Sequence, residues 1–268
     1  MKLAAFRKRH PERQVAASRL KWGVIEVKGK KSQPTLVLIP GTMGVADIFW
    51  NQIVALSGSA RIVALTVPPA LNILKLADSL KVLFDKLKIE KAHLLGSSLG
   101  GFLVQHFAAR HPERIEKLYV ANTLIDPKDK ALRVRLPGDA SKISAKEHLA
   151  RAHAALAGMP APDAGFRLLK KVLKENCDRL GGAWLKSRVL VVREGPAVPK
   201  LKLPDSRIVV LDSADDMVVA RPVLEAVRKR YPKAERFHLK TGGHFPYVTR
   251  PDAYVKLFKK TLAARKPR

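Results

Sequence analysis

The chain has 268 residues, 47% of them apolar, which suits one large α/β domain or two small ones and permits a sizeable core. Lys and Arg outnumber Asp and Glu 51 to 23, a formal charge of +28, yet the basic residues run from Lys2 to Arg268 and aromatics reach only 6%, so the concentrated patch of a nucleic-acid reader is missing. No apolar run is long enough to span a membrane, and the single cysteine, Cys177, excludes an internal disulfide and a four-thiolate metal site.

Met1 to Lys21 is basic and lacks the apolar stretch of a secretory signal, and the lone cysteine fits a reducing compartment, so a cytoplasmic protein is expected. Trp22 to Val27 (W-G-V-I-E-V) reads as an outer strand. After the polar turn Gly29–Pro34, the run T-L-V-L-I from Thr35 to Ile39 reads as a strand buried on both faces. Pro40-Gly41-Thr42-Met43-Gly44 breaks it, and Asp47 to Leu56 reads as a helix. Arg61 to Val67 is a strand ended by Pro68-Pro69. Leu71 to Leu87 is an amphipathic helix, with Leu76, Leu80, Leu83, Phe84 and Leu87 at three- and four-residue spacings. Strand Ala92–Leu95, tight turn Gly96–Gly101, helix Phe102–Arg110 and strand Lys117–Ala121 follow. This alternation means a mostly parallel sheet covered on both faces.

Beyond Asn122 the pattern loses its strands and gains glycines and prolines. The expected organisation is an α/β core made of residues 1–125 and 203–268, with a helical cap or lid inserted at 126–202. Val189 to Val192 is ambiguous between strand and helix. Leu149, Leu156, Met159, Phe166, Leu168 and Leu169 in the insert are candidates for an acyl pocket or for the insert's own core. The core pattern resumes with strand Ile208–Leu211, helix Arg221–Tyr231, strand Arg236–Leu239 and helix Asp252–Ala263.

The sharpest local signal is Gly96-Ser97-Ser98-Leu99-Gly100, a G-x-S-x-G set between a strand and a helix. Small residues two before and two after the serine let strand and helix approach, and the hydroxyl projects over the carboxyl edge of the sheet. A serine hydroxyl is a weak nucleophile and needs a base. Among eight histidines, His244 stands out in T-G-G-H-F-P, just after a late strand. The ring of such a base needs a carboxylate. Asp216 is preferred for its place three residues before Val219; Asp215 is the alternative and Asp212 a poorer third. The order serine, acid, histidine is that of α/β-hydrolases. The N–H groups of Leu99 and of Thr42, in the loop after Thr35–Ile39, are the candidate oxyanion donors.

The stretches L-I-P-G-T-M-G-V-A-D-I-F-W, H-L-L-G-S-S-L-G-G-F-L-V-Q-H-F-A and L-K-T-G-G-H-F-P-Y resemble the maspardin branch of the α/β-hydrolase superfamily, and the likeness covers most of the chain. The resemblance implies the α/β-hydrolase fold with an inserted helical cap. Animal members of that branch look like non-catalytic relatives that bind protein partners and carry asparagine where this chain has His244. The expected activity is therefore that of a serine hydrolase. It would cleave a small ester-like substrate, a carboxylic ester or thioester, through an acyl-enzyme on Ser98, with no metal or organic cofactor. The alternative is a maspardin-like module whose partner is another protein. No specific nucleic acid is expected, and the +28 charge adds at most a weak attraction to anionic surfaces or polyanions.

Overall fold

The computed structural model describes residues 1–70, 72–131 and 139–263. Its strands are β1 (Arg13–Ala17), β2 (Leu20–Val27), β3 (Thr35–Ile39), β4 (Arg61–Thr66), β5 (Ala92–Ser97), β6 (Ile115–Ala121), β7 (Ile208–Ser213) and β8 (Glu235–Leu239). They form one sheet in the order β1-β2-β4-β3-β5-β6-β7-β8. The strands from β4 to β8 along that order are parallel, and β2 runs antiparallel to both β1 and β4. This is the α/β-hydrolase architecture expected above.

Hydrophobic runs explain the middle of the sheet. Leu36, Val37, Leu38 and Ile39 are all fully buried because alternate side chains meet helices on opposite faces. One face packs against α3 (Ile73–Lys86), α4 (Leu99–Arg110) and α7 (Arg221–Arg230). The other packs against α1 (Leu3–Arg9), α2 (Trp50–Leu56) and α9 (Pro251–Ala263). Helix α3 starts where Asn72 accepts the N–H groups of Leu74 and Lys75, and it lays Leu76, Leu80, Leu83 and Phe84 on the sheet. The sequence reading started this helix at Leu71, which lies outside the described residues.

Between β6 and β7 the described residues form α5 (Ala145–Ala157) and α6 (Ala164–Arg193), the latter kinked at Gly181 (φ 72°). The ambiguous run Val189–Val192 is helical, as part of α6. Leu156 and Leu169 are buried in the core, while Leu149, Met159 and Phe166 pack against it and Leu168 is exposed. A four-residue helix, α8 (Pro246–Thr249), follows the histidine turn. No helix among the described residues is long and apolar enough to cross a membrane.

The basic N-terminal segment, for which the sequence suggests no element, carries α1 and β1. Phe6 of α1 is fully buried, and β1 pairs with β2 through a two-residue turn whose central residues, Ser18 and Arg19, both have positive φ (45° and 65°). That is the hairpin geometry usually announced by Asn-Gly, a signal this chain lacks.

Two of the buried histidines lie on core elements of this frame. His93 in β5 shares a hydrogen bond with the Tyr119 hydroxyl at 3.0 Å, and His106 lies in α4. Burial pushes both imidazoles down, from 6.5 to about 4. They are neutral in the fold but take up protons in the unfolded chain once pH drops below 6.5. Their contribution to stability is therefore complete above pH 6.5 and is lost as pH falls toward about 4. Melting temperatures measured across that window should fall steadily, and His106→Leu should flatten the slope.

Candidate active site

The parallel strands β5, β6, β7 and β8 are successive neighbours, so the loops after them share one edge of the sheet. Those loops carry Ser98, Asn122, Asp216 and His244 in that order. The spatial set is thus built from four loops of one carboxyl edge, the usual place for ligands in open α/β sheets.

Ser98 sits at φ 54°, ψ −119°, a strained backbone for a residue with a side chain. It is held there on both sides. Its N–H donates to Ala121 O at 2.9 Å, and its carbonyl accepts the Thr123 hydroxyl at 2.7 Å. The glycines of the motif have a steric cause. A Cβ at Gly96 would lie 2.1 Å from Gly100 O, and one at Gly100 would lie 2.4 Å from Ile39 O. The Ser98 side chain stands half-exposed at the start of α4, where first-turn N–H groups have no partner within the helix.

His244 and Asp216 form a buried pair, with Nδ1 of His244 2.9 Å from Oδ2 of Asp216. The same oxygen accepts Asn122 Nδ2 at 2.9 Å, and the other accepts the N–H groups of Val218 at 2.8 Å and Val219 at 2.9 Å. Burial alone would raise the Asp216 carboxyl. The charge and hydrogen bond of His244, with the bonds from Asn122 and Val219, outweigh it and hold the carboxyl below its usual range. Asp216 is therefore an anion at neutral pH. With Nδ1–H donated to it, His244 keeps its Nε2 lone pair for another partner. Asp215 does something else: it accepts the N–H groups of Gly242 (3.1 Å) and Gly243 (2.8 Å) and so shapes the turn that presents His244. Asp212 is bound to Arg228 and His238. Between the three aspartates, then, it is Asp216 that meets the imidazole.

The loop after β3 lies beside the serine. A Cβ at Gly41 would be 2.9 Å from Ser98 Cβ and 3.4 Å from its Oγ, so the Gly41–Thr42 peptide borders the hydroxyl. Gly44 N–H closes a turn onto Gly41 O at 3.0 Å. Two further carbonyls of the loop are taken by Arg188 of α6, which donates to Thr42 O at 2.8 Å and Gly44 O at 2.7 Å. Arg188 is 1% exposed and makes no ion pair among the described residues. Burial pushes its guanidinium down to about 9, which still leaves it charged at neutral pH.

Sequence reasoning missed Asn122 and Arg188. Asn122 at the end of β6 has positive φ (44°), a conformation in which Asn is enriched, and that is the signal its position offered. Arg188 carries no local signal, since one more Arg in a chain of +28 reads as surface. Cys177 is buried in α6 and its thiol is pushed up to about 12, which makes it an unreactive core residue. Among the described residues no three His, Cys, Asp or Glu side chains are arranged to hold a metal ion.

Comparison with known proteins agrees with this architecture. Residues 34–251 match the family model described as the alpha/beta hydrolase fold. Maspardin of Homo sapiens is 29% identical over 240 residues, covering 88% of this chain and 77% of the human protein. An esterase from Thermogutta terrifontis superposes with a TM-score of 0.78 at 16% identity, over 94% of this chain and 97% of its own. The enol-lactonase from Burkholderia xenovorans LB400 superposes with a TM-score of 0.75 at 20% identity, over 93% and 99%. At such identities the two structures speak for the fold alone.

The depressed Asp216 carboxyl has a stability consequence with a definite sign. Its contribution is present above the unfolded value of 3.8 and is lost as pH falls through the folded value. Asp216→Asn should lower the melting temperature at neutral pH, and its deficit against the natural chain should shrink below about pH 4. A deficit that stays constant with pH would refute this account of the carboxylate.

Proposed function

Because the chain belongs to the α/β-hydrolase family, we propose that it is a serine hydrolase acting on a small ester-like acyl substrate, with Ser98, His244 and Asp216 as its catalytic triad. The observation that carries this reading is the buried His244–Asp216 pair at 2.9 Å on the edge where Ser98 occupies its strained turn. Ser98 Oγ attacks the acyl carbonyl carbon as His244 Nε2 takes its proton. The charge that develops on the carbonyl oxygen is met by the N–H groups of Leu99 and Thr42. The tetrahedral adduct collapses, and the leaving alcohol or thiol departs with the proton from His244. Water, deprotonated by the same nitrogen, then attacks the acyl-enzyme, and Ser98 is regenerated as the acid is released. Asp216 holds the ring and stabilises the imidazolium throughout, while Asn122 holds Asp216.

The helices between β6 and β7 act in this reading as a cap over the carboxyl edge, with residues 126–202 as the inserted unit. Phe166 supports this: its ring comes within 2.9 Å of a Cβ built on Gly243, the residue before His244. Arg250 lies over that ring at 5.5 Å and pairs with Asp163 at 2.8 Å, which ties the insert to the histidine turn. The likeness to maspardin favours a second reading, a protein-binding module on the same fold. The presence of His244, where animal relatives carry asparagine, weighs for catalysis.

A fluorophosphonate probe separates the two readings. The natural chain should label at one site, Ser98→Ala should not label, and His244→Asn should label far more slowly. With a panel of p-nitrophenyl esters, simple lactones and thioesters, Asp216→Asn should reduce kcat by about 10³- to 10⁴-fold, the loss expected when the ring loses its orienting anion. Failure of a folded natural chain to label would sink the hydrolase reading and turn attention to protein partners.

A further inference from the structure

Arg188 is buried on the second half of α6, beyond the kink at Gly181. Its bonds go to backbone carbonyls: Thr42 O and Gly44 O in the loop after β3, and Val67 O after β4. Trp184, one turn earlier, lies under the guanidinium at 5.7 Å and donates its own Nε1–H to Val67 O at 3.0 Å. Ser187 adds a reciprocal pair with Ala70, donating to its carbonyl at 2.6 Å and accepting its N–H at 2.8 Å. This stretch of α6 is therefore bonded to the loops after two adjacent strands.

Arg188 stands apart from the other buried ionic groups. Asp47, also buried, is paired by Arg7 at 2.8 Å and Arg179 at 2.6 Å, and Asp216 faces His244. Arg188 has neutral acceptors alone. The acid that acts on it through space, Glu12, is instead bonded to the Thr66 hydroxyl at 2.6 Å. A buried cation is expensive to keep without a partner, and an apolar side chain of similar volume would fill the same space more cheaply. Its fork makes a specific difference at one place, the irregular stretch from Gly41 to Gly44. Holding Thr42 O and Gly44 O fixes the Thr42–Met43 and Gly44–Val45 peptide planes, one on each side of the Met43–Gly44 peptide. Together with the Gly44–Gly41 turn, that sets the direction of the Thr42 N–H beside Ser98.

We propose that Arg188 is the positioning residue of the oxyanion loop: its buried, unpaired guanidinium holds the Thr42 N–H in place and adds positive potential where negative charge develops on the acyl oxygen. The proposal rests on the serine-hydrolase reading and assigns a part in it to a residue on a helix between β6 and β7. No step passes a proton to or from Arg188, and it touches no reacting atom. The position of α6 is thereby transmitted to the loop beside the nucleophile.

The test uses the full-length chain with Arg188→Met, Arg188→Lys and, as a control, Ser187→Ala, which removes an anchor of the same helix segment without touching the loop. On an activated ester, Arg188→Met should lower kcat by about 100-fold with KM within about threefold, the effect typical of a misaligned oxyanion donor. Arg188→Lys keeps the charge but not the fork and should recover part of the loss, to about tenfold below the natural chain. Affinity for a phenylboronic acid, which binds serine as a tetrahedral anion, should fall in step with kcat. Ser187→Ala should leave kcat within about twofold. Amide hydrogen exchange at residues 41–44 should accelerate in both Arg188 variants and not in Ser187→Ala. A folded Arg188→Lys or Arg188→Met protein with unchanged kcat and boronate affinity would overturn the proposal, as would a loss confined to KM. If Arg188→Met fails to fold, Arg188→Lys alone decides. If the natural chain neither labels nor hydrolyses, the hydrolase reading fails by itself. Loop exchange then decides the positioning claim: faster exchange upholds it and unchanged exchange overturns it.

Discussion

Gly100 lies against the carbonyl oxygen of Ile39, an approach that any side chain at that position would block. This one steric allowance sets much of the geometry on the carboxyl edge. It lets the start of α4 press on the end of β3, which brings the loop after β3 beside the turn after β5. Ser98 is forced into its strained backbone by the same closeness, and the bonds from Ser98 N–H to Ala121 and from Thr123 to the Ser98 carbonyl hold it there. Strain of this kind persists only where the surroundings over-determine it. Here the end of β6 supplies that restraint, and the next residue, Asn122, donates to Asp216 in the loop after β7.

The site handles buried charge in two different ways. Asp216 is an anion surrounded by donors: an imidazole, a side-chain amide and two backbone N–H groups. Its environment is saturated with donors, which hold it ionised and fix its geometry. Arg188 is a cation surrounded by carbonyl dipoles, which stabilise it without cancelling its charge. In the proposed mechanism the first arrangement orients the base. The second leaves net positive potential along the loop beside Ser98. Low local dielectric magnifies both, since an interior field is screened far less than one in water.

The mostly parallel sheet and most of its elements could be read from local pattern because each element depends on residues near one another in the chain. The T-L-V-L-I run, the α3 spacing and the G-x-S-x-G turn carry their own geometry. What could not be read depends on contacts across the chain. Asp215 and Asp216 have the same chemistry and adjacent places, and only the course of the backbone after β7 turns one toward His244 and the other toward the Gly242 and Gly243 amides. Asn122 acts on a residue 94 positions away and Arg188 on one 146 away. At the N-terminus, the density of Lys and Arg obscured a buried Phe6 and a short strand whose turn residues, Ser18 and Arg19, do not advertise a hairpin.

That hairpin governs how the sheet meets its surroundings. At one end, β8 presents an edge that carries exposed Arg236 and, just beyond it, Lys240, charges that discourage further pairing. At the other, β2 is lined with Trp22, Val24 and Ile25, all buried, and is covered by β1. A chain shortened to begin at Trp22 would keep every residue of the proposed triad. It would also expose a row of unpaired backbone groups along an apolar strand and leave a hollow where Phe6 had been. Such an edge recruits other strands, so the residues before Trp22, remote from the chemistry, stand guard against self-association.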